Sequence, residues 1–181
     1  FFPSKNLGAY GDGGMVTSNS DDYIENLKML RTHGSKARYY RSMVGINGRL
    51  DAIQAAILNV KLKYLDKWCE MRIERATYYN KRLVDLPIGL PKTEEHNKHI
   101  FHQYVIRAKN RDELFGFLKK RDVSCGLYYP LPMHLQESLS GFGYKEGDLP
   151  ESEKAAKETL ALPIFPELTV EEQDYVIDTI K

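Results

Sequence analysis

Apolar residues along the middle of the chain recur at a helical interval. Ile53, Ile57, Val60, Tyr64, Trp68 and Met71 lie three or four positions apart and share one helix face. The pattern extends over 50–86, long for one globular helix, and predicts either a bend near 61–67 or two abutting helices. Ala55 and Ala56 allow a neighbouring element to approach closely. A shorter stripe, Ile24, Leu27 and Leu30, predicts a helix that begins at an Asn19 or Ser20 cap, carries Asp21, Asp22 and Glu25 at its positive end and stops at Gly34. Before it, Met15-Val16-Thr17-Ser18 reads as a short strand between turn formers.

Beyond Leu86-Pro87-Ile88-Gly89-Leu90-Pro91, which reads as a connection between domains, the pattern becomes that of an α+β unit. Tyr104-Val105-Ile106 centres one strand, and 123–129 reads as another. Asn110 and Glu113 are placed to cap a helix whose apolar face is Leu114, Phe117 and Leu118. Residues 151–160 are helical in pattern and 162–164 extended. Thr169 and Glu172 form a capping box for a last helix with Val176, Ile177 and Ile180 inside.

Composition narrows the function. Among 181 residues, 26 basic and 25 acidic side chains leave a net charge of +1, with no basic block to receive a nucleic acid. No apolar run reaches membrane-spanning length. Cys69 and Cys125 stand far apart without a pairing motif, so a reduced, cytosolic chain is the simplest account. His96, His99 and His102 lead into a strand, where they do not converge, and are read as non-metal. The chain opens on a specialised motif without an initiator methionine, which leads us to expect the C-terminal part of a longer polypeptide.

That opening motif carries the chemistry. In Phe1-Phe2-Pro3-Ser4-Lys5-Asn6-Leu7-Gly8, followed by Gly11-Asp12-Gly13-Gly14, a lysine stands between aromatics and a glycine-rich bend. Enclosed by apolar groups, Lys5 is expected to lose solvation and present a neutral amine, the nucleophile for a Schiff base. Lys36, Arg38, Tyr39, Tyr40 and Arg41, then Gly45 and Asn47-Gly48-Arg49, describe either an exposed polar loop or an anion-receiving surface. His134 follows two prolines in Tyr129-Pro130-Leu131-Pro132-Met133-His134-Leu135. It is either a polar surface residue or a ring held toward a cleft.

Taken with Gly45-Ile46-Asn47-Gly48-Arg49-Leu50-Asp51-Ala52-Ile53-Gln54-Ala55-Ala56 and Leu160-Ala161-Leu162-Pro163-Ile164, these pieces resemble, in order and interval, the DegT/DnrJ/StrS-type nucleotide-sugar aminotransferases. These are pyridoxal-phosphate enzymes of fold type I. The resemblance covers essentially the whole chain and implies an α/β fold. Residues 1–60 would be the remainder of the large cofactor-binding domain, 61–90 a long helical connection, and 91–181 a small C-terminal α+β domain. It implies that Lys5 joins the C4′ carbon of pyridoxal 5′-phosphate and shuttles the proton. Relatives with histidine at this position act as dehydratases, so Lys5 favours transamination. Asn47 is implied to reach the cofactor phosphate of the neighbouring subunit in a homodimer with shared sites, with His33 beside it. Arg49, Tyr40, Tyr129 and His134 are implied to hold the substrate.

That substrate would be a keto-sugar linked to dTDP or UDP, with glutamate as amino donor. Arg49-Leu50-Asp51 resembles the branch that aminates the sugar C3 carbon rather than C4. Gly48, Arg41 and Tyr128 depart from the usual serine, histidine and histidine of the pattern. The carboxylate, ring-stacking aromatic and hydroxyl ligands of the cofactor are expected upstream of Phe1. The alternatives are a non-catalytic, cofactor-binding regulatory protein on the same scaffold, or amination of the nucleotide sugar at C4.

Overall fold

Ser20 opens the first helix by accepting a hydrogen bond from the Tyr23 amide at 3.4 Å. Helix α1 runs over Asp21–Leu30, with Asp21 and Asp22 in its first turn. The computed structural model describes residues 1–181, in two compact units, Phe1–Asp66 and Lys67–Lys181.

In the first unit, α1 ends where Gly34, at φ +73°, returns its amide to the Met29 carbonyl at 2.8 Å. Strands β1 (Ser35–Ala37) and β2 (Tyr40–Arg41) then form a small antiparallel hairpin. Helix α2 spans Ala52–Leu62 and buries Leu58. The long helical pattern breaks as expected, because α2 stops at Leu62 and α3 (Leu65–Leu83) starts afresh.

The expected buried stripe differs. Ile53, Val60 and Tyr64 are exposed, as is Leu30 of α1, since no element of this unit lies over those faces. Nor does 15–18 form a strand: Met15 and Val16 are exposed and find no ladder partner.

The second unit is α+β. Strand β3 (Tyr104–Arg107) pairs antiparallel with β4 (Thr159–Leu162), Tyr104 opposite Leu162. Gly89 bridges to Arg107 on one side and Gly126 to Ala161 on the other, widening the sheet at both edges. Tyr104 and Ile106 alternate inward onto Tyr79 and Leu83 of α3, and onto Val176 and Ile177 of α6 (Val170–Ile180). Leu118 of α4 (Arg111–Lys119) joins them, while α5 (Pro150–Glu158) contributes buried Ala156.

The helical stretch expected over 61–90 adds Ala76, Tyr79 and Leu83 of α3 to this core. Three expectations change here. Residues 86–91 are not a linker: Gly89 exchanges two 2.8 Å hydrogen bonds with Arg107, and Leu86, Ile88 and Leu90 pack on the core. Residues 123–129 pair only through Gly126, so they make an isolated bridge instead of a strand. Asn110 makes no side-chain cap to α4, its backbone lying at φ −101°, ψ 41°, outside the usual extended capping conformation. The Thr169 capping box, by contrast, is complete, with the Glu172 amide donating to Oγ1 at 3.2 Å and the Thr169 amide donating to Oε2 at 2.9 Å.

Candidate active site

Lys5 stands on a turn closed by its own amide, which donates to the Phe2 carbonyl at 2.9 Å, and by the Ala9 amide donating to Phe1 at 2.8 Å. Gly8 is indispensable to this turn, since a Cβ there would lie 2.4 Å from the Pro3 carbonyl oxygen. Two side chains of α2 hold it from outside. Lys61 Nζ donates to the Gly8 carbonyl at 2.7 Å, and Gln54 Oε1 accepts from the Tyr10 amide at 2.8 Å.

The turn is as tight as the sequence predicts, but Lys5 is not enclosed. Its side chain is exposed, because Phe2 points outward and Gly8 and Ala9 are what the turn buries. Burial within this chain therefore does not desolvate the amine, which stands on a turn fixed by its backbone hydrogen bonds.

The second cluster forms where residues 45–48 return beside the end of α1. Thr32 bridges to Asn47, the His33 amide donates to the Ile46 carbonyl at 2.9 Å, and the Gly48 amide donates to Arg31 at 2.9 Å. His33 is itself left-handed at φ +60°. Asn47 Oδ1 accepts from Arg49 Nε at 3.0 Å, fixing both side chains. His33, Asn47 and Arg49 are thus brought together on one exposed strip, with Tyr40 on the adjoining hairpin, also exposed.

Between 31 and 49 the chain carries Arg31, Lys36, Arg38, Arg41 and Arg49 and no Asp or Glu, so the strip is uniformly cationic. No hydrogen bond joins Lys5 to Asn47 or His33.

This donor set fits a phosphorylated carbonyl cofactor. It offers a primary amine on a fixed turn for the carbonyl, and amide, imidazole and guanidinium donors without a competing carboxylate for a phosphate.

In the second unit, Tyr129 lies 70% exposed at a groove of about 410 Å³. Tyr128, Leu131 and Met133 form one wall of it, and Ser152, Ala155 and Thr159 the other. His134 borders a second hollow, of about 300 Å³, with Leu139, Phe142 and Tyr144. It is buried on the short 3-10 helix Met133–Leu135, and its Nε2 lies 3.0 Å from Glu153 Oε1. Burial raises the pKa of Glu153, but hydrogen bonds from His134 and from the Gly147 and Leu149 amides outweigh it and hold the carboxyl below its ordinary value. An ionised Glu153 only accepts, so His134 Nε2 carries the proton between them.

Glu153, Gln54 and Lys61 escape a reading of the sequence alone. Gln54 leaves one trace, as a polar side chain inside Asp51-Ala52-Ile53-Gln54-Ala55-Ala56.

All 181 residues match the model of the DegT/DnrJ/EryC1/StrS aminotransferase family. A Geobacillus stearothermophilus protein named "Pleiotropic regulatory protein" is 53% identical over 99% of the chain and 49% of its own length. The Streptomyces venezuelae dTDP-3-amino-3,4,6-trideoxy-alpha-D-glucose transaminase is 40% identical over 100% of the chain and 48% of its own. A crystal structure of S. venezuelae DesV in complex with a ketimine intermediate superposes with a TM-score of 0.96, at 40% identity, over 99% of the chain and 49% of that protein. The chain spans about half the length of the curated relatives it matches.

Proposed function

The chain belongs to the DegT/DnrJ/EryC1/StrS aminotransferase family and has the α/β fold of the fold type I enzymes, and from that premise we propose that the full-length protein transfers an amino group to a nucleotide-linked keto-sugar. The observation that carries this reading is Lys5, an exposed amine on a turn fixed at both ends, within the motif whose resemblance to the family implies the cofactor lysine. Pyridoxal 5′-phosphate supplies, when bound, the electron sink that lets an amino group leave one carbon and arrive at another.

Lys5 Nζ would hold the cofactor through its carbonyl carbon and, when free, would carry the donor's Cα proton. The rigid turn keeps that amine at one place while it changes role. Asn47 and His33 would donate to the cofactor phosphate, and Arg49 would add charge beside them. Following the family resemblance, Asn47 is assigned to the cofactor phosphate of the neighbouring subunit, in a homodimer with shared sites. Arg49, Tyr40 and Tyr129 are each assigned to holding the nucleotide-sugar, as the family resemblance implies, and His134, bonded to Glu153, is assigned to it through the loop it anchors. Glutamate is the proposed donor, C3 the proposed site of amination, and dTDP or UDP the proposed carrier.

One observation favours a second reading. The 53% identical relative bears a regulatory name, which fits a protein that keeps the cofactor without turnover. In the full-length protein, Lys5→Ala is expected to abolish the visible absorbance of lysine-bound cofactor. An unchanged band contradicts the assignment. An aminated sugar detected by mass spectrometry after adding glutamate and dTDP- or UDP-linked keto-sugars excludes the regulatory reading, and its absence with the band intact supports it.

A further inference from the structure

The second unit buries two ionisable side chains against each other, outside its apolar core. His134 and Glu153 are each 8% exposed, with Nε2 and Oε1 3.0 Å apart. The same carboxylate accepts from the Gly147 amide at 2.9 and 3.0 Å and from the Leu149 amide at 3.3 Å. One side chain on α5 therefore ties down two stretches that have no regular structure to hold them. The first is the Tyr-Pro-Leu-Pro loop, through the 3-10 helix that ends it. The second is the turn before α5, where Gly147 is left-handed at φ +94°.

The placement of the groove gives this knot its significance. The anchored loop supplies one wall through Tyr129, Leu131 and Met133, and α5 supplies the other through Ser152, Ala155 and Thr159. Ser152 precedes Glu153 directly, so the helix that lines the groove also holds the loop across from it. The His134–Glu153 bond links the segments that carry the two walls.

We propose that Glu153 is a positioning residue for the nucleotide moiety of the substrate, acting through His134 to hold the Tyr129 loop at the width at which that moiety is gripped. This rests on the nucleotide-sugar reading above. A carboxylate that merely capped α5 would support the helix and leave ligand affinity alone.

The test is isothermal titration of dTDP and of UDP into the full-length holoprotein and its Glu153→Ala and Glu153→Gln variants, well below their melting temperatures. Wild type is expected to bind one of the two, Glu153→Ala roughly tenfold more weakly. Glu153→Gln, which keeps one acceptor oxygen, is expected to fall between them. Absorbance of the bound cofactor is expected to be equal in all three.

Equal Kd values in wild type and the variants overturn the proposal. Should Glu153→Ala fail to fold, Glu153→Gln decides alone. Faster exchange of the Gly147 and Leu149 amides with a weakened Kd supports the proposal, and an unchanged Kd overturns it. Failure of wild type to bind either nucleotide removes the reading beneath the inference and the inference with it. Binding by wild type with unaffected variants removes the inference alone.

Discussion

At the scale of single residues, environments with opposite effects decide what each ionisable group does. Tyr79 and Tyr104 lie in the core with ring centroids 4.9 Å apart, and burial pushes both phenols up, so both stay neutral donors. Tyr79 donates to the Pro163 carbonyl at 3.0 Å and Tyr104 to Asn80 Oδ1 at 2.6 Å. Glu153 is buried too, but its three donors favour the charged form and lower its pKa. A lowered carboxyl stabilises the fold fully above its unfolded value, about 4.3, and loses that contribution as pH falls through the folded value. Glu153→Gln does not titrate. The difference in urea midpoint between wild type and this variant should therefore hold steady near neutrality and shrink in acid below about pH 4. A difference that grows in acid would contradict the ionised assignment.

At the scale of elements, local chemistry was legible wherever partners lie a few residues apart. The Ser20 cap, the Thr169–Glu172 box and the break between α2 and α3 are all written in short spacings. Readings that needed a distant partner went astray. Residues 86–91 look like a linker because nothing in their sequence announces that Gly89 will pair with Arg107. The face of Ile53, Val60 and Tyr64 looks like core because periodicity records an apolar stripe without recording what covers it.

The candidate site divides in the same way. Lys5, Asn47 and Arg49 are singled out by motif and order, whereas Glu153 is not, since its partners lie 4 to 19 residues away with no spacing rule.

Gly34 shows how firmly such a contact is set. It closes α1 at φ +73°, and a Cβ there would lie 1.8 Å from the Met43 carbonyl oxygen. Gly34→Ala should destabilise the protein by more than the ~1–2 kcal/mol of a left-handed residue alone, read by urea unfolding. It should also displace Asn47 from His33, seen as weakened phosphate-dependent cofactor retention. A loss below ~0.5 kcal/mol would contradict the close packing.

At the scale of the molecule, the two units divide the work. The first presents Lys5 on a turn pinned by Gln54 and Lys61 of α2, and a cationic strip with Asn47. The second offers a groove whose walls are joined by one buried hydrogen bond. The central claim is that Lys5 is the point of covalent attachment, and borohydride trapping tests it most directly. The full-length protein would be loaded with pyridoxal 5′-phosphate, reduced, digested and mapped by mass spectrometry. The account predicts a single reduced cofactor adduct, on Lys5. An adduct on Lys61 or another lysine with Lys5 unmodified, or no adduct at all, would contradict it.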